Sequence, residues 1–218
     1  MNMEKCKALL TDLDGTLIRS EDCICDALMC AFSHVKAKVP EKKEIMSMFG
    51  LPVEQMLIKL SGVRETEKEC IEEFIAEYKR QYPVHMANAK LIDNAFETLK
   101  YVHEKDLQIC LITSERRKNA EHILNQFDLL SMIQHIVSRD DVHNFKPDPE
   151  PLLKGVDKCG LYAKDCLYIG ESPFDIEAGV RAGVFTVAVA SGSWSKESLI
   201  ACNPNVFVDD ISEIKKFF

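Results

Sequence analysis

The 218-residue chain, with 46% hydrophobic and 28% charged residues, has the composition of a globular protein, not that of a disordered or collagen-like one. Acidic residues outnumber basic ones, 35 against 27, and the formal charge of −8 argues against a nucleic-acid or anionic-membrane binder. The nine cysteines show no CxxC spacing; Cys23, Cys25 and Cys30 lack a histidine at zinc-ligand spacing, and reduced, buried thiols in a cytoplasmic protein are expected. The first residues do not have the pattern of a signal peptide, because Met1–Lys7 is short and charged and Asp12 interrupts the apolar run that follows.

In chain order, strands are predicted at Lys7–Leu13, Gln108–Thr113, His135–Ser138, Cys166–Gly170, Val184–Val189 and Val206–Val208. They are mostly apolar without alternation, as strands buried on both faces are. Helical spacing between them, such as Ala120, Ile123, Leu124 and Phe127, predicts an α/β fold: a Rossmann-like parallel sheet with helices on both faces.

Almost a hundred residues separate the first strand from the second, far more than a crossover needs. Ile24, Ala27, Leu28, Ala31, Phe32 and Val35 share one helical face, Pro52 opens a second helical pattern, and Cys70, Ile71, Phe74, Ile75 and Tyr78 mark a third before Pro83. An all-helical cap over residues 18–85 is expected, inserted into a core of residues 1–17 and 86–218. Leaving from the sheet's ligand-binding edge, it is placed to act as a lid.

The first strand ends in Asp12-Leu13-Asp14-Gly15-Thr16. Two carboxylates this close repel unless a cation or a shared proton intervenes, so the tetrapeptide Asp12–Gly15 suits a Mg²⁺ site or a nucleophile beside a proton donor, and equally an exposed Asp-x-Asp-Gly turn. Later segments fall at or just beyond strand ends or in the loops that follow: Thr113-Ser114, Lys146 before Pro147, and Gly170-Glu171 with Asp175. Four carboxylates, a hydroxyl and a lysine gathered at one edge would require a divalent metal.

These four segments, in this order and strand context, resemble the motifs of the haloacid dehalogenase-like superfamily, in particular its cap-bearing phosphatases and β-phosphoglucomutase-like members. The resemblance implies that Asp12 is the nucleophile and Asp14 the acid and base. It implies that Thr113 and Lys146 hold the phosphoryl oxygens with backbone N–H groups near Leu13 and Ser114. Mg²⁺ would bind the Asp12 carboxylate, the Asp14 carbonyl, Glu171 and Asp175; Glu171 departs from the family's more frequent aspartate. Asp14 argues against dehalogenation, since halide needs no proton to leave.

The expected activity is Mg²⁺-dependent hydrolysis of a small phosphorylated metabolite, with phosphoglycolate, pyrophosphate and sugar phosphates as candidates. The alternative is a phosphoryl-transfer mutase, whose second phosphate would need cap cations such as Lys59, Arg64, Lys79 or Arg80. The turn Phe49–Gln55, which resembles the family's substrate-specificity loop, carries Glu54 and no cation, and this favours the phosphatase, as does Thr16. Nothing in the sequence demands more than a monomer, and no nucleic-acid or membrane partner is expected.

Overall fold

The computed structural model describes residues 6–49 and 53–218, so Gly50–Pro52 of the expected specificity loop lie outside the described residues. The chain runs from strand β1 (Ala8–Thr11) through β2 (Ile18–Arg19) into helices α1 (Glu21–His34), α2 (Lys42–Met46), α3 (Val53–Ser61) and α4 (Lys68–Met86), then to β3 (Lys90–Leu91). From there the main helices and strands alternate as α5 (Ala95–His103), β4 (Gln108–Ile112), α6 (Arg117–Gln126), β5 (His135–Val137) and α7 (Glu150–Lys158). The chain continues through β6 (Cys166–Gly170), α8 (Pro173–Ala182), β7 (Phe185–Val189), α9 (Lys196–Ala201) and β8 (Val206–Val208).

Two compact units divide the chain. One contains the chain up to Arg19 together with Leu91–Phe218; the other is Ser20–Lys90. The first holds a six-stranded sheet in the order β5-β4-β1-β6-β7-β8, with every pairing parallel. Every residue of β1 and of β6 is buried, so both faces of these central strands are covered, which is why they lack a polar alternation. On one face Leu10, Cys110, Ile112, Val137 and Tyr168 meet Leu152 and Val156 of α7 and Ala178 of α8. Gly155 brings α7 close to the sheet: a Cβ there would stand 2.6 Å from Ile112 Cδ1.

The second unit packs α1 against α4 and closes its own apolar centre around Leu28, Phe32, Ile45, Leu57 and Phe74. Phe32 and Phe74 meet edge to face with centroids 4.9 Å apart. Helix α4 does not stop before Pro83 as the sequence pattern predicts; it runs on to Met86, because the buried Tyr82 and Met86 extend its apolar face past the proline. The unit accordingly ends at Lys90, not at residue 85. Among the described residues no helix is long and apolar enough to cross a membrane.

Candidate active site

Strand register gathers the candidate residues at one edge of the first unit. Thr11 lies opposite Leu111 of β4 and Ile169 of β6. Asp12 therefore comes level with Ile112 and Gly170, and Leu13, Thr113 and Glu171 follow together as the three strands leave the sheet. After Asp12 the chain turns sharply, with the Leu17 and Ile18 N–H groups both donating to the Leu13 carbonyl and Gly15 at φ +75°. Asp14 sits half-buried in this turn, and the Ser191 hydroxyl, from the loop after β7, donates to the Gly15 carbonyl at 2.6 Å.

Lys146, in the loop between β5 and α7, is the centre of the site. Its Nζ donates to Asp12 Oδ1 at 2.7 Å and to Asp175 Oδ1 at 2.6 Å, with the lysine side chain only 9% exposed. Burial pushes the Asp12 carboxyl up, and the Asp175 charge adds to this; Lys146 and the Leu13 N–H pull it back, leaving it raised to about 6. Burial disfavours the charge on Asp175 as well, but Lys146, Ser172 and Tyr168 outweigh it and hold this carboxyl below its ordinary value.

The position of Asp175 follows from local sequence. Ser172-Pro173 opens α8, and Ser172 and Asp175 form a capping box: the serine N–H (3.0 Å) and hydroxyl (2.6 Å) donate to Asp175 Oδ2, and the Asp175 N–H returns to the serine oxygen. Oδ1 takes Lys146 and the Tyr168 hydroxyl, the latter at 2.7 Å. Each oxygen of Asp175 thus already accepts two hydrogen bonds, and the residue that resemblance assigns to the metal here fixes the lysine.

Thr113 is buried, donates its N–H to the Val137 carbonyl, and accepts the Glu115 N–H on its hydroxyl at 3.0 Å; Ser114 beside it is exposed. Glu171 is 8% exposed and lays its side chain against Gly15 and Gly192.

A divalent cation fits this donor set. Asp12, Glu171 and Asp175 bring three buried carboxylates against the single buried ammonium of Lys146, an imbalance that hard-oxygen coordination of Mg²⁺ would offset. Among the described residues, no three His, Cys, Asp or Glu side chains gather around one point. The hard oxygens that the resemblance assigns to the ion are those of Asp12, the Asp14 backbone, Glu171 and Asp175, and Asp175 here also accepts from Lys146.

Tyr168 and Ser172 carry no motif signal and are missed by sequence reading, although a tyrosine in a fully buried strand needs a partner for its hydroxyl. Tyr168→Phe should remove a hydrogen bond to a charged acceptor, worth about 2 kcal/mol. In a chain of this size that corresponds to a melting temperature lower by about 4–8 °C. Thermal unfolding followed by circular dichroism measures it; an unchanged melting temperature would show that the hydroxyl does not support the pair.

Comparison with known proteins agrees with this architecture. The family model described as haloacid dehalogenase-like hydrolase matches residues 9–189. The pyrophosphatase PpaX of Halalkalibacterium halodurans is 30% identical over 184 residues, covering 83% of this chain and 82% of its own length. The pyrophosphatase PpaX of Anoxybacillus flavithermus is 26% identical over 207 residues, 94% of each chain. In fold, the chain superposes on a crystal structure from Haemophilus somnus, described as a predicted phosphoglycolate phosphatase, with a TM-score of 0.90 at 23% identity over 99% of both chains. The sheet order, the carboxylate-rich strand edge and the family match lead to one conclusion: this chain belongs to the haloacid dehalogenase-like hydrolases.

Proposed function

We propose that the chain is a Mg²⁺-dependent phosphatase that hydrolyses a small phosphorylated metabolite through an aspartyl-phosphate on Asp12. The observation that carries this reading is the Lys146 ammonium, buried and shared between Asp12 and Asp175 at 2.7 and 2.6 Å. A lysine so placed keeps Asp12 ionised against the pull of burial and stands beside the position that an attacked phosphoryl group would occupy. When bound by Asp12, the Asp14 carbonyl and Glu171, Mg²⁺ would shield the nucleophile from an anionic substrate.

An Asp12 oxygen attacks phosphorus, and the bond from phosphorus to the leaving oxygen breaks as Asp14 delivers its proton to that oxygen. Asp14, now a carboxylate, takes a proton from a water whose oxygen attacks the same phosphorus. The bond to Asp12 breaks, phosphate departs, and the Asp12 carboxylate and protonated Asp14 are restored. Thr113, Lys146 and the Leu13 and Ser114 N–H groups hold the phosphoryl oxygens.

Two of the cap cations that a mutase would use for a second phosphate are already engaged, Arg64 by Glu67 at 3.0 Å and Arg80 by Glu77 at 2.6 Å. This supports hydrolysis over phosphoryl shuttling. The test is a panel of pyrophosphate, phosphoglycolate and sugar phosphates, assayed for released phosphate and, for the sugars, for isomerisation. Release that requires Mg²⁺ and disappears with EDTA is expected. Isomerisation without release, or no turnover of any substrate in Mg²⁺, would overturn the proposal. Pyrophosphate comes first on the panel because the two curated relatives are named for it.

A further inference from the structure

Glu171 lies in a slot between two glycines. A Cβ on Gly15 would stand 2.8 Å from Glu171 Cγ and 2.9 Å from Cδ. A Cβ on Gly192 would stand 2.5 Å from Glu171 Cδ and would collide with Oε2. All three separations are shorter than packed carbon atoms tolerate, so the side chain occupies the space that hydrogen in place of a methyl group leaves on each side.

The two glycines have different reasons to be there. Gly15 adopts φ +75°, a conformation that a side chain would strain, so it would be glycine with or without a neighbour. Gly192 is not among the positive-φ residues, and its backbone would accept alanine. What excludes alanine at 192 is the Glu171 carboxylate itself. The Ser191 hydroxyl ties this loop to the Gly15 carbonyl at 2.6 Å, so one wall of the slot cannot withdraw without disturbing the other. Glu171 is only 8% exposed, which limits its escape into solvent.

We propose that Gly192 is a positioning residue for the metal-binding carboxylate: with Gly15 it makes a slot deep enough for a glutamate and holds Glu171 where it can reach the ion. The loop after β7 thereby compensates for the extra methylene that Glu171 has over aspartate. This rests on the reading of Glu171 as a metal ligand, and the test separates the two.

Mg²⁺ is titrated into the metal-free full-length protein by isothermal calorimetry, alongside the fluorescence of Trp194. That residue is the sole tryptophan, two positions beyond Gly192, and it packs edge-on against Phe174 with centroids 6.2 Å apart. Gly192→Ala should weaken Mg²⁺ binding by about 10- to 100-fold, the range for residues that orient a metal ligand without touching the metal. Its circular dichroism spectrum should match that of the wild type. In the Gly192→Ala background, Glu171→Asp should recover part of the affinity, because losing a methylene removes the deepest overlap, that with Oε2, and leaves a 2.9 Å approach to Cγ that a small shift relieves, whereas Glu171→Asp alone should weaken binding.

Wild-type affinity in Gly192→Ala would overturn the slot while leaving Glu171 as a ligand. No recovery in the double variant would also overturn it, since the loss would then come from the loop and not from the collision. No Mg²⁺ binding by the wild type would remove the metal reading, and this proposal with it.

Discussion

Asp12→Asn should lower phosphate release by on the order of 10⁴- to 10⁶-fold, the effect of removing a nucleophile that no neighbouring group replaces. The fold should survive, for an electrostatic reason. Asp12 is 6% exposed and its carboxyl is raised to about 6, so at pH 7.5 the native protein holds a buried charge that the unfolded chain would hydrate. A carboxyl raised on folding contributes stability that is fully present below its unfolded value and is lost as pH rises through about 6. Asparagine, which does not ionise, escapes that loss, and Lys146 keeps Asp175 as partner at 2.6 Å. Metal-free Asp12→Asn should therefore melt at the same temperature as the wild type or higher at pH 7.5. A variant that is folded yet turns over within tenfold of wild type would remove Asp12 as nucleophile; a variant that unfolds would show the charge to be structural.

The sheet was legible in the sequence because its strands are uninterrupted apolar runs. Ala8–Thr11 and Cys166–Gly170 are buried throughout, and a strand covered on both faces leaves that pattern. Helix α5 is only nine residues long, and its buried face, Ala95, Leu99 and Val102, is a weak signal in sequence. Helix α4 runs through Pro83, where a helix usually ends, because burial of Tyr82 and Met86 outweighs the missing N–H.

The site was legible as a set of positions but not as a set of bonds. Lys146 and Asp12 are 134 residues apart, and no local pattern says that one nitrogen is shared between Asp12 and Asp175. The family resemblance assigns Asp175 to the metal, and its side chain also holds the lysine. The capping box with Ser172 and the hydroxyl of Tyr168 orient it toward the lysine, and they become visible only once α8 is folded against β6. Gly192 lies outside every motif, and its importance is steric, set by a side chain 21 residues earlier in the chain.

Lys146→Met separates the catalytic from the structural role of that shared nitrogen. Methionine fills much of the lysine's volume without charge. Losing one donor to the phosphoryl oxygens should lower kcat by about 10²- to 10³-fold. The variant should also shift in pH, because Lys146 is what pulls the Asp12 carboxyl down against burial and the Asp175 charge. Without it Asp12 titrates above 6, and the acidic limb of the residual rate moves toward higher pH. Stability should follow the same logic: removing one partner of a buried pair costs about 3–5 kcal/mol where the remaining charge cannot reach water. Asp175, held low chiefly by this lysine against burial, then joins Asp12 in being raised. Two raised carboxyls give stability that is present at low pH and lost as pH rises through their folded values, so the melting deficit against wild type should widen from pH 5 to pH 8. Melting curves across that range, paired with kcat-versus-pH profiles, test both halves. A uniform deficit with an unmoved acidic limb would mean that Lys146 acts on the bound substrate alone and does not set the charge of Asp12.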